Sequence, residues 1–390
     1  MAGPVSIVVL AGGVGGSRFA LGVREAVRRR WPSDGPSGTS ARITVVANTG
    51  DDLWLSGVRL QPDVDSLLYA LAGVNDTERG WGRSGDTERV SAELHEWGAG
   101  WPWFTLGDLD LGTHLARTGW LRDGLTVSEV VARLGSRWPL GVRLLPMTDA
   151  EVDTHVLTAG GRMHFQEWWT LHRANVPAIG FENPGIEAAV PGAGVLEAIA
   201  TADAVLFAPS NPIVSIGPIL SVPGIADAVA AAAGGVVGVS PIIGGAVVRG
   251  MADACLAALD VPTSADAVGL RYGPRGSLSG PSPRGSLIDP HPSASPIDPH
   301  PDGSLSDPSL RGSLSEPQAS RRAATGTHDR AGLPGLLDAW LIAEEDAALA
   351  PGIETAGLHT VVAPLWMRDA DTSAALASAA LDAALSATRA

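Results

Sequence analysis

Residues 5–17 read Val-Ser-Ile-Val-Val-Leu-Ala-Gly-Gly-Val-Gly-Gly-Ser, an apolar run that passes directly into a glycine-rich loop. The run Val5–Leu10 has the length and nearly continuous apolar character of a strand that is buried on both faces of a parallel sheet. After the loop Ala11–Gly16, we expect a helix over about Ser17–Arg30. Strand, glycine loop and helix in this order predict the first unit of a doubly wound α/β fold.

The alternation of buried strands and helices continues along the chain. A second strand is expected at Ile43–Ala47, and others follow at Ala204–Ala208 and Val236–Val239. Further elements are expected at about Val64–Ala72, Gly194–Ala200, Ile225–Ala233, Leu336–Ile342, Leu358–Ala363 and from Ala370 onward. We therefore predict the fold class as α/β, with a doubly wound, mostly parallel Rossmann-like sheet.

Two segments interrupt this pattern. Residues 101–183 mix helical patterns with short alternating stretches, including 163–171, and we interpret them as an α+β insertion packed on the main sheet. Residues 274–333 repeat the units Gly-Ser-Leu and Ile-Asp-Pro-His-Pro. Repeats this rich in Pro and Ser bury too little apolar surface to offset the entropy of ordering. We predict a single α/β domain from 1–273 plus 334–390, with 274–333 as a low-complexity, disordered insertion.

Charge and cysteine content narrow the range of functions. The chain carries 27 Lys and Arg against 42 Asp and Glu, a formal net charge of −15, which opposes binding to nucleic acid or to an anionic membrane surface. An anionic ligand would then need a metal ion or helix N-termini to supply positive potential. The single cysteine, Cys255, is expected to be a small core residue and fits a reducing compartment. With no membrane-length apolar run, we expect a cytoplasmic protein.

The glycine loop is a candidate phosphate site. It contains Gly12, Gly13, Gly15, Gly16 and Ser17. Glycines let the backbone approach a phosphate, and the following helix offers free N–H groups and its dipole. The loop is not a P-loop, because no Gly-Lys-Ser/Thr follows, and Ser17 or Arg18 stands where the dinucleotide spacing has its third Gly or Ala. A tight turn without any ligand stays an alternative.

Carboxylates cluster after the second strand. Asp51 and Asp52 end that strand, while Asp63 and Asp65 flank the start of the next helix. Ligands of doubly wound sheets bind outside the carboxyl ends of the strands. Carboxylates at that edge suit Mg²⁺, which takes one or two of them plus substrate phosphates. Alternatively, Asp63 and Asp65 simply favour the helix N-terminus electrostatically.

Other polar and aromatic segments leave similar alternatives open. Asp108 and Asp110 precede another helix, and the loops 209–212 and 240–245 follow later strands. Their side chains either cap helices, which local chemistry favours, or bind a phosphate and a base. The aromatic stretch 163–169 alternates poorly for a half-buried strand. It either stacks on a flat ring system or, as we favour, packs in the core.

Several ordered segments together resemble one family, the 2-phospho-L-lactate transferases of coenzyme F-420 biosynthesis. They include Leu10-Ala-Gly-Gly-Val-Gly-Gly16, Asn48-Thr-Gly-Asp-Asp52, Pro62-Asp-Val-Asp65, Arg79-Gly-Trp-Gly82, Leu106-Gly-Asp-Leu-Asp110 with Thr113-His114, Leu145-Pro-Met-Thr-Asp149, His164-Phe-Gln-Glu-Trp168, Ala208-Pro-Ser-Asn-Pro212 with Ser215-Ile-Gly-Pro-Ile219, and Ser240-Pro-Ile-Ile-Gly244. The segments follow the family's order and span nearly the whole chain outside the repeats.

The resemblance implies a Mg²⁺-dependent enzyme that moves a phosphoenolpyruvyl or 2-phospho-L-lactyl group from a guanosine diphosphate-linked donor to the deazaflavin Fo. GMP is released and (dehydro) coenzyme F-420-0 is formed. The Ala-, Gly-, Arg- and Pro-rich composition is similar to that of actinobacterial members, so we expect the enolpyruvyl donor. Many relatives have Arg where this chain has Leu109, so any acceptor contact of that Arg is missing here.

The resemblance also implies residue roles. We expect Asp51, Asp52 and Asp65 to bind the metal, and Asp65 or Asp63 to accept the proton of the attacking hydroxyl. The implied substrate-binding residues are Gly12, Gly13, Gly15, Gly16, Ser17, Asn48, Thr49, Asp108, Leu109, Asp110, His164, Ser210, Asn211, Ser215, Ser240 and Gly244.

Two other functions remain as alternatives. One is a non-catalytic nucleotide-sugar-binding regulator, similar to gluconeogenesis-factor relatives that share the glycine loop and the first Asp pair. Segments 164–169 and 208–219 argue against it. The other is a nicotinamide-dependent oxidoreductase, for which Asp51 is suitably placed but the third glycine is missing. The oligomeric state stays open, a homodimer included.

Overall fold

The structure is a computed structural model that describes residues 3–276 and 335–387. The strands are β1 Ser6–Ala11, β2 Arg42–Ala47, β3 Leu53–Leu55, β4 Val58–Leu60, β5 Arg143–Pro146, β6 His155–Thr158, β7 Gly161–His164, β8 Ala178–Glu182, β9 Ala204–Phe207, β10 Gly235–Val239, β11 Ile242–Ile243, β12 Ala246–Val247, β13 Ala339–Ile342 and β14 His359–Val362. The α-helices are α1 Gly13–Arg30, α2 Pro62–Ala72, α3 Arg89–Glu96, α4 Asp108–Arg122, α5 Val127–Gly135, α6 Val195–Ala200, α7 Ile216–Ser221, α8 Ile225–Ala230, α9 Ala252–Ala257, α10 Ala265–Tyr272, α11 Ala350–Thr355 and α12 Ala370–Ser386.

A parallel sheet of seven strands forms the centre of the fold, in the order β14-β13-β10-β9-β1-β2-β5. Strand β1 lies where the order reverses, since β2 pairs with one side of it and β9 with the other; Val9, for example, pairs with both Val45 and Leu206. The loops that follow β1 and β9 therefore face each other across a crevice, which is where such sheets bind ligands. The α/β, Rossmann-like prediction is confirmed.

Two apolar cores cover the two faces of the sheet. Along β1, Val8 and Leu10 belong to one core, whereas Ile7 and Val9 belong to the other, and all four are fully buried. Helices α6, α7 and α8 contribute to the first core, and α1, α2 and α12 to the second. Burial on both faces explains why β1 reads as an uninterrupted apolar run rather than an alternating one.

The segment 101–183 divides between the main sheet and a smaller one. Strand β5 lies within it but is the edge strand of the central sheet, where Leu144 pairs with Val45. Strands β6, β7 and β8 form a separate antiparallel sheet with β6 in the middle. Only the parts on either side of β5 therefore lie outside the central sheet.

Two element boundaries differ from the sequence prediction. Helix α1 begins at Gly13 instead of Ser17, because the glycine run itself folds into the first helical turn and the Gly16 N–H donates to the Gly12 carbonyl. The alternating pattern over 163–171 does not form a strand. Strand β7 ends at His164, and a short π-helical turn, Glu167–Leu171, follows and buries Trp168.

The first residues of the 274–333 segment pair with the chain where its description resumes. Pro274 forms a parallel bridge with Leu337, and the Arg275 N–H donates to the Leu337 carbonyl. The Arg275 guanidinium also pairs with Asp338 at 2.7 Å. The rest of the predicted disordered insertion, from residue 277 on, lies outside the described residues. Among the helices of the described ranges, none is long and apolar enough to cross a lipid bilayer.

Candidate active site

A cavity of about 860 Å³ lies at the carboxyl edge of the central sheet. Its walls come from the loops that follow β1, β2, β9 and β10, together with the starts of α1 and α2. Because parallel strands end at the same edge, these loops converge even though they are far apart in sequence. The volume is sufficient for a ligand of nucleotide size.

The glycine loop forms one wall of this cavity through Gly12, Gly13, Val14 and Gly15. A Cβ on Gly12 would lie 2.2 Å from Oδ2 of Asp63, and a Cβ on Gly15 would lie 2.7 Å from the carbonyl oxygen of Pro209. These two glycines are needed because other elements approach the backbone closely. The wall is also the N-terminus of an 18-residue helix, which favours a bound anion.

Asp51 and Asp63 form a buried carboxylate pair beside this helix N-terminus. Burial raises the pKa of Asp51 well above its ordinary value, and the negative charge of Asp63 raises it further. Burial also raises the pKa of Asp63, to about 6, although several hydrogen bonds oppose the shift. Oδ1 of Asp51 has no hydrogen-bond partner within the described residues. Two buried, mutually repelling carboxylates with an unused oxygen fit a divalent cation such as Mg²⁺.

Two side chains orient Asp63. The amide of Asn48 donates to Oδ2 of Asp63 at 2.9 Å, and the hydroxyl of Ser215 donates to the same oxygen at 3.3 Å. Asn48 itself is fixed, because its amide also donates to the Val214 carbonyl and its carbonyl accepts from the Gly50 N–H. Of these two, Ser215 lines the cavity, while Asn48 lies behind Asp63.

Asp52 does not join the pair. It is buried outside the cavity lining, and its Oδ2 accepts a 2.6 Å hydrogen bond from Gln61 and lies 3.6 Å from a nitrogen of Arg59. Arg59 also binds Asp153 through two hydrogen bonds. Arg59 therefore ties Asp52 and the β3–β4 hairpin to the segment after β5. Oδ1 of Asp52 has no hydrogen-bond partner within the described residues, and burial raises the pKa of this carboxyl well above its ordinary value. The metal-binding role of Asp52 stays a prediction.

Asp65 also lies apart from the Asp51–Asp63 pair, although it too lines the cavity. Asp63 and Asp65 are two positions apart in the first turn of α2, so their side chains point to different sides of the helix. Asp65 faces α4, where Oδ1 accepts a hydrogen bond from Arg117. Oδ2 has no hydrogen-bond partner within the described part of the chain.

The later loops combine structural hydrogen bonds with exposure to the cavity. The hydroxyl of Ser210 accepts from the Gly12 N–H and donates to the Gly12 carbonyl. Oδ1 of Asn211 accepts from the Ile213 N–H, and Ser240 bonds with the backbone of Ile242. None of these three side chains caps an α-helix of the described chain, because their hydrogen bonds hold turns instead. All three line the cavity, and ligand binding by them stays a prediction.

Besides Asn48 and His164, six predicted substrate-binding residues lie outside the cavity lining: Gly16, Ser17, Thr49, Asp108, Leu109 and Gly244. Asp108 accepts hydrogen bonds from Thr87 and from the Val90 N–H, which lower its pKa. It thus ties the start of α4 to the start of α3. Gly244 has a φ of +59° and its N–H donates to the buried Asp346, which holds the turn after β11.

His164 also lies outside the lining. Its Nε2 is 3.1 Å from the carbonyl oxygen of Asp52, and burial lowers the pKa of the ring. The aromatic stretch around it packs in the core, as we favoured, and also reaches the cavity; stacking on a ring system stays a prediction. Trp168 is buried in the core, while Phe165 and Trp169 reach the cavity.

The sequence analysis missed several residues of the cavity wall. These are the aromatic residues Trp81, Trp103, Phe104 and Trp366, the arginines Arg18, Arg249 and Arg368, and the polar residues Tyr69 and His114. One pattern does carry a signal. Asp110, His114 and Arg117 are spaced four and three residues apart, which places them on one face of a helix. When such a charged helix face is buried instead of facing solvent, as it is here, its side chains form a polar network inside the protein.

The fold and the site define a doubly wound α/β protein with a helix N-terminus and paired carboxylates at its switch point, the edge where proteins of this architecture bind ligands. Comparison with known proteins narrows the class. Residues 7–273 match the sequence profile of the family described as "2-phospho-L-lactate transferase CofD". The chain belongs to this family.

Curated relatives extend the similarity beyond the matched range. A "phosphoenolpyruvate transferase" of Thermobifida fusca (strain YX) is 44% identical over 383 residues, covering 97% of this chain and 98% of the relative. A protein of the same description from Kitasatospora aureofaciens is 52% identical over 272 residues, covering 69% of this chain and 82% of the relative. Similarity to the first relative covers nearly the full length of both proteins.

A solved structure shares the fold. Protein BH3568 from Bacillus halodurans superposes with a TM-score of 0.52 at 14% identity, covering 97% of this chain and 99% of that chain. Another crystal structure of bh3568, described as a member of the upf0052 family, gives the same TM-score and identity. At this level of identity the likeness concerns the fold alone.

Proposed function

We propose that the protein transfers a phosphoenolpyruvyl group from a guanosine diphosphate-linked donor to the terminal hydroxyl of the deazaflavin Fo, releasing GMP and forming dehydro coenzyme F-420-0. The observation that carries the proposal is the Asp51–Asp63 pair at the N-terminus of α1, inside a cavity with an aromatic wall. Membership of the transferase family and the description of the relatives support it. The relatives' description also favours the enolpyruvyl over the 2-phospho-L-lactyl group.

In this proposal the donor diphosphate lies against the glycine loop. The N–H groups at the start of α1 would hydrogen-bond the phosphate oxygens. The Asp51–Asp63 pair would hold Mg²⁺, and the ion would neutralise the negative charge that develops on the diphosphate. Asn48 and Ser215 keep Asp63 oriented towards the ligand side of the loop.

Transfer is proposed to follow an in-line displacement. The acceptor hydroxyl attacks the phosphorus that carries the three-carbon acid, a new P–O bond forms, the bond to the other phosphate breaks, and GMP leaves. Such reactions depend mainly on positioning and charge neutralisation. Asp65, whose Oδ2 accepts no hydrogen bond within the described residues, would accept the hydrogen bond of the hydroxyl and then its proton. We assign it this role rather than metal binding, because its Oδ1 is occupied by Arg117.

The acceptor ring is proposed to lie along the aromatic wall. Trp103, Phe104 and Trp169 offer flat apolar surfaces in the cavity, and Trp103 already stacks on Trp101 with ring centroids 4.6 Å apart. Offset stacking on such rings suits a flat tricyclic ligand. Leu109 is 45% exposed and outside the cavity, so its contact with the acceptor is not part of the proposal.

The test is turnover by the full chain with Fo, Mg²⁺ and either the enolpyruvyl or the lactyl donor, followed by mass spectrometry of the deazaflavin product. The enolpyruvyl product supports the proposal, whereas a lactyl product keeps the reaction and changes the donor. If the protein binds guanosine diphosphate and gives no product with either donor, it is a binding protein and the proposal is wrong.

A further inference from the structure

Helices α2 and α4 face each other across a polar network that the proposed reaction does not yet explain. Its members, Asp65 and Tyr69 on α2 and Asp110, His114 and Arg117 on α4, are each at most 7% exposed. Four of the five line the cavity, and Arg117 lies behind them, fully buried. Buried charge of this density costs folding free energy. A functional reason is therefore worth seeking.

Within the described residues, Asp65 forms ion-pair contacts with Arg117 and His114. Of these two, only Arg117 is positively charged at every pH near neutrality. Its Nη2 donates to Oδ1 of Asp65, and its Nη1 donates to the Arg59 carbonyl and to Nδ1 of His114 at 2.9 Å. A guanidinium has a rigid, planar set of donors and no acceptor. These three contacts therefore fix Asp65 and His114 relative to each other.

The same contacts determine the state of His114. Because Arg117 donates to Nδ1, that nitrogen accepts, and the neutral ring carries its proton on Nε2. Nε2 lies 3.5 Å from Oδ1 of Asp110, which also accepts a 2.6 Å hydrogen bond from Tyr69. His114 thus lies between Asp65 and Asp110, with its N–H on the side of Asp110 and its Nδ1, 3.6 Å from Oδ2 of Asp65, engaged by Arg117.

A second metal ion is the main alternative for this network. Asp65, Asp110 and His114 have ligand atoms within 4.8 Å of one another. However, the Nδ1 of His114 and one oxygen of Asp65 already accept hydrogen bonds from Arg117. The guanidinium therefore supplies the positive charge at the place where a cation would otherwise be required.

We propose that Arg117 is a positioning residue, which holds Asp65 as an oriented carboxylate at the cavity wall, where the oxygen that Arg117 does not bind is left to accept the hydroxyl of the acceptor. The proposal rests on the proposed function, because it needs an acceptor hydroxyl at this point. His114, held by the same guanidinium, packs beside the Asp65 carboxylate. The donor side of the cavity, at Asp51 and Asp63, is independent of this clamp.

The experiment compares Arg117→Met, Arg117→Lys and a matched control, Arg275→Met. Arg275 is equally buried and forms an ion pair with Asp338, but it lies outside the cavity lining. For each variant, kcat, KM for both substrates, guanosine diphosphate affinity and Tm are measured. Misplacing a catalytic group by about 1 Å costs about 100-fold in rate, so Arg117→Met is expected to lower kcat by about that factor while KM for the donor and guanosine diphosphate affinity stay unchanged.

Arg117→Lys keeps the charge but cannot hold Asp65 and His114 together, so its kcat should lie between those of Arg117→Met and the unaltered protein. Arg275→Met should lower Tm with little change in kcat of the folded protein. The inference is overturned if Arg117→Met keeps normal kcat, or if it loses donor affinity and kcat together. If the unaltered protein gives no transfer at all, the proposed function fails and the inference fails with it.

Discussion

The side-chain amide of Asn48 donates a 2.9 Å hydrogen bond to Oδ2 of Asp63, and its other two hydrogen bonds keep the amide from flipping by 180°. Asp63 therefore has to present an acceptor at this position. Replacing Asp63 with Asn puts an amide where a carboxylate is required, and it removes half of the proposed metal-binding pair. We expect Asp63→Asn to lower kcat at least about 100-fold.

The control for this substitution is Asp108→Asn. Asp108 is also at the start of a helix, but its side chain fixes a loop outside the cavity. Turnover of Asp108→Asn should stay within about threefold of normal, since a surface substitution of this kind changes stability by only about 0.5 kcal/mol. Equal activity losses in the two variants would contradict the assignment of Asp63.

The pKa of Asp63, raised to about 6 by burial, predicts a pH dependence of stability. The folded-state pKa is above the unfolded value, so the protonated carboxyl stabilises the fold at low pH. This contribution is lost as the pH rises from about 4 through about 6. In metal-free protein the associated fall in the free energy of unfolding is of the order of 1–3 kcal/mol.

Urea unfolding between pH 4 and pH 8, with and without Mg²⁺, measures this effect. Mg²⁺ should raise the urea midpoint more at pH 8 than at pH 5, because it binds the ionised pair. Asp63→Asn should flatten the metal-free profile in this window and reduce the effect of Mg²⁺. An identical Mg²⁺ effect in the variant would show that the ion acts elsewhere.

Gly12 is predicted to tolerate no side chain. The methyl group of Gly12→Ala would lie 2.2 Å from Oδ2 of Asp63 and 2.8 Å from Cβ of Ser215, so it must displace one of them. We expect a loss of about 100-fold in kcat. The matched control is Gly112→Ala in α4, where a Cβ meets nothing within 4 Å; it should keep normal activity and stabilise the helix by about 0.5–1 kcal/mol. Normal turnover of Gly12→Ala would show that Asp63 need not stay in place.

The ion pair between Arg275 and Asp338 leads us to predict that the repeat segment can be removed without loss of the fold. The Pro274–Leu337 bridge and the Arg275–Leu337 hydrogen bond hold together the residues on either side of the repeat segment. Replacing residues 277–334 by a short Gly-Ser linker should therefore keep kcat and raise the free energy of unfolding by up to about 2 kcal/mol, because a shorter loop costs less closure entropy. Loss of folding, judged by circular dichroism and urea unfolding, would contradict this prediction.

Much of the fold followed from the sequence because buried parallel strands have a distinctive pattern. The runs at Val5–Leu10, Ile43–Ala47 and Val236–Val239 are apolar on both faces and lie within one residue of the observed strands. The place of the strand Arg143–Pro146 at the edge of the central sheet was not predicted. Pairing partners depend on contacts that are distant in sequence, here Leu144 with Val45.

The sequence does not show which way a side chain points, and this limited the prediction of the site. The sequence placed Asp51, Asp52, Asp63 and Asp65 near one sheet edge, and three of them line the cavity. It could not distinguish Asp52, because the pairing of β3 with β4, which brings Arg59 to Asp52, was not predicted. Similarly, Arg117 is 52 residues from Asp65 in sequence, and only the packing of α2 against α4 brings them together.

The central claim is transfer to the acceptor with cleavage between the two phosphates of the donor. The most direct measurement follows GMP and the enolpyruvyl deazaflavin product in the same reaction with Mg²⁺, in the unaltered protein and in Asp63→Asn. The account predicts that the two products appear in equal amounts, and that both disappear in the variant. GMP formed without the deazaflavin product, or the product formed with GDP in place of GMP, would contradict it.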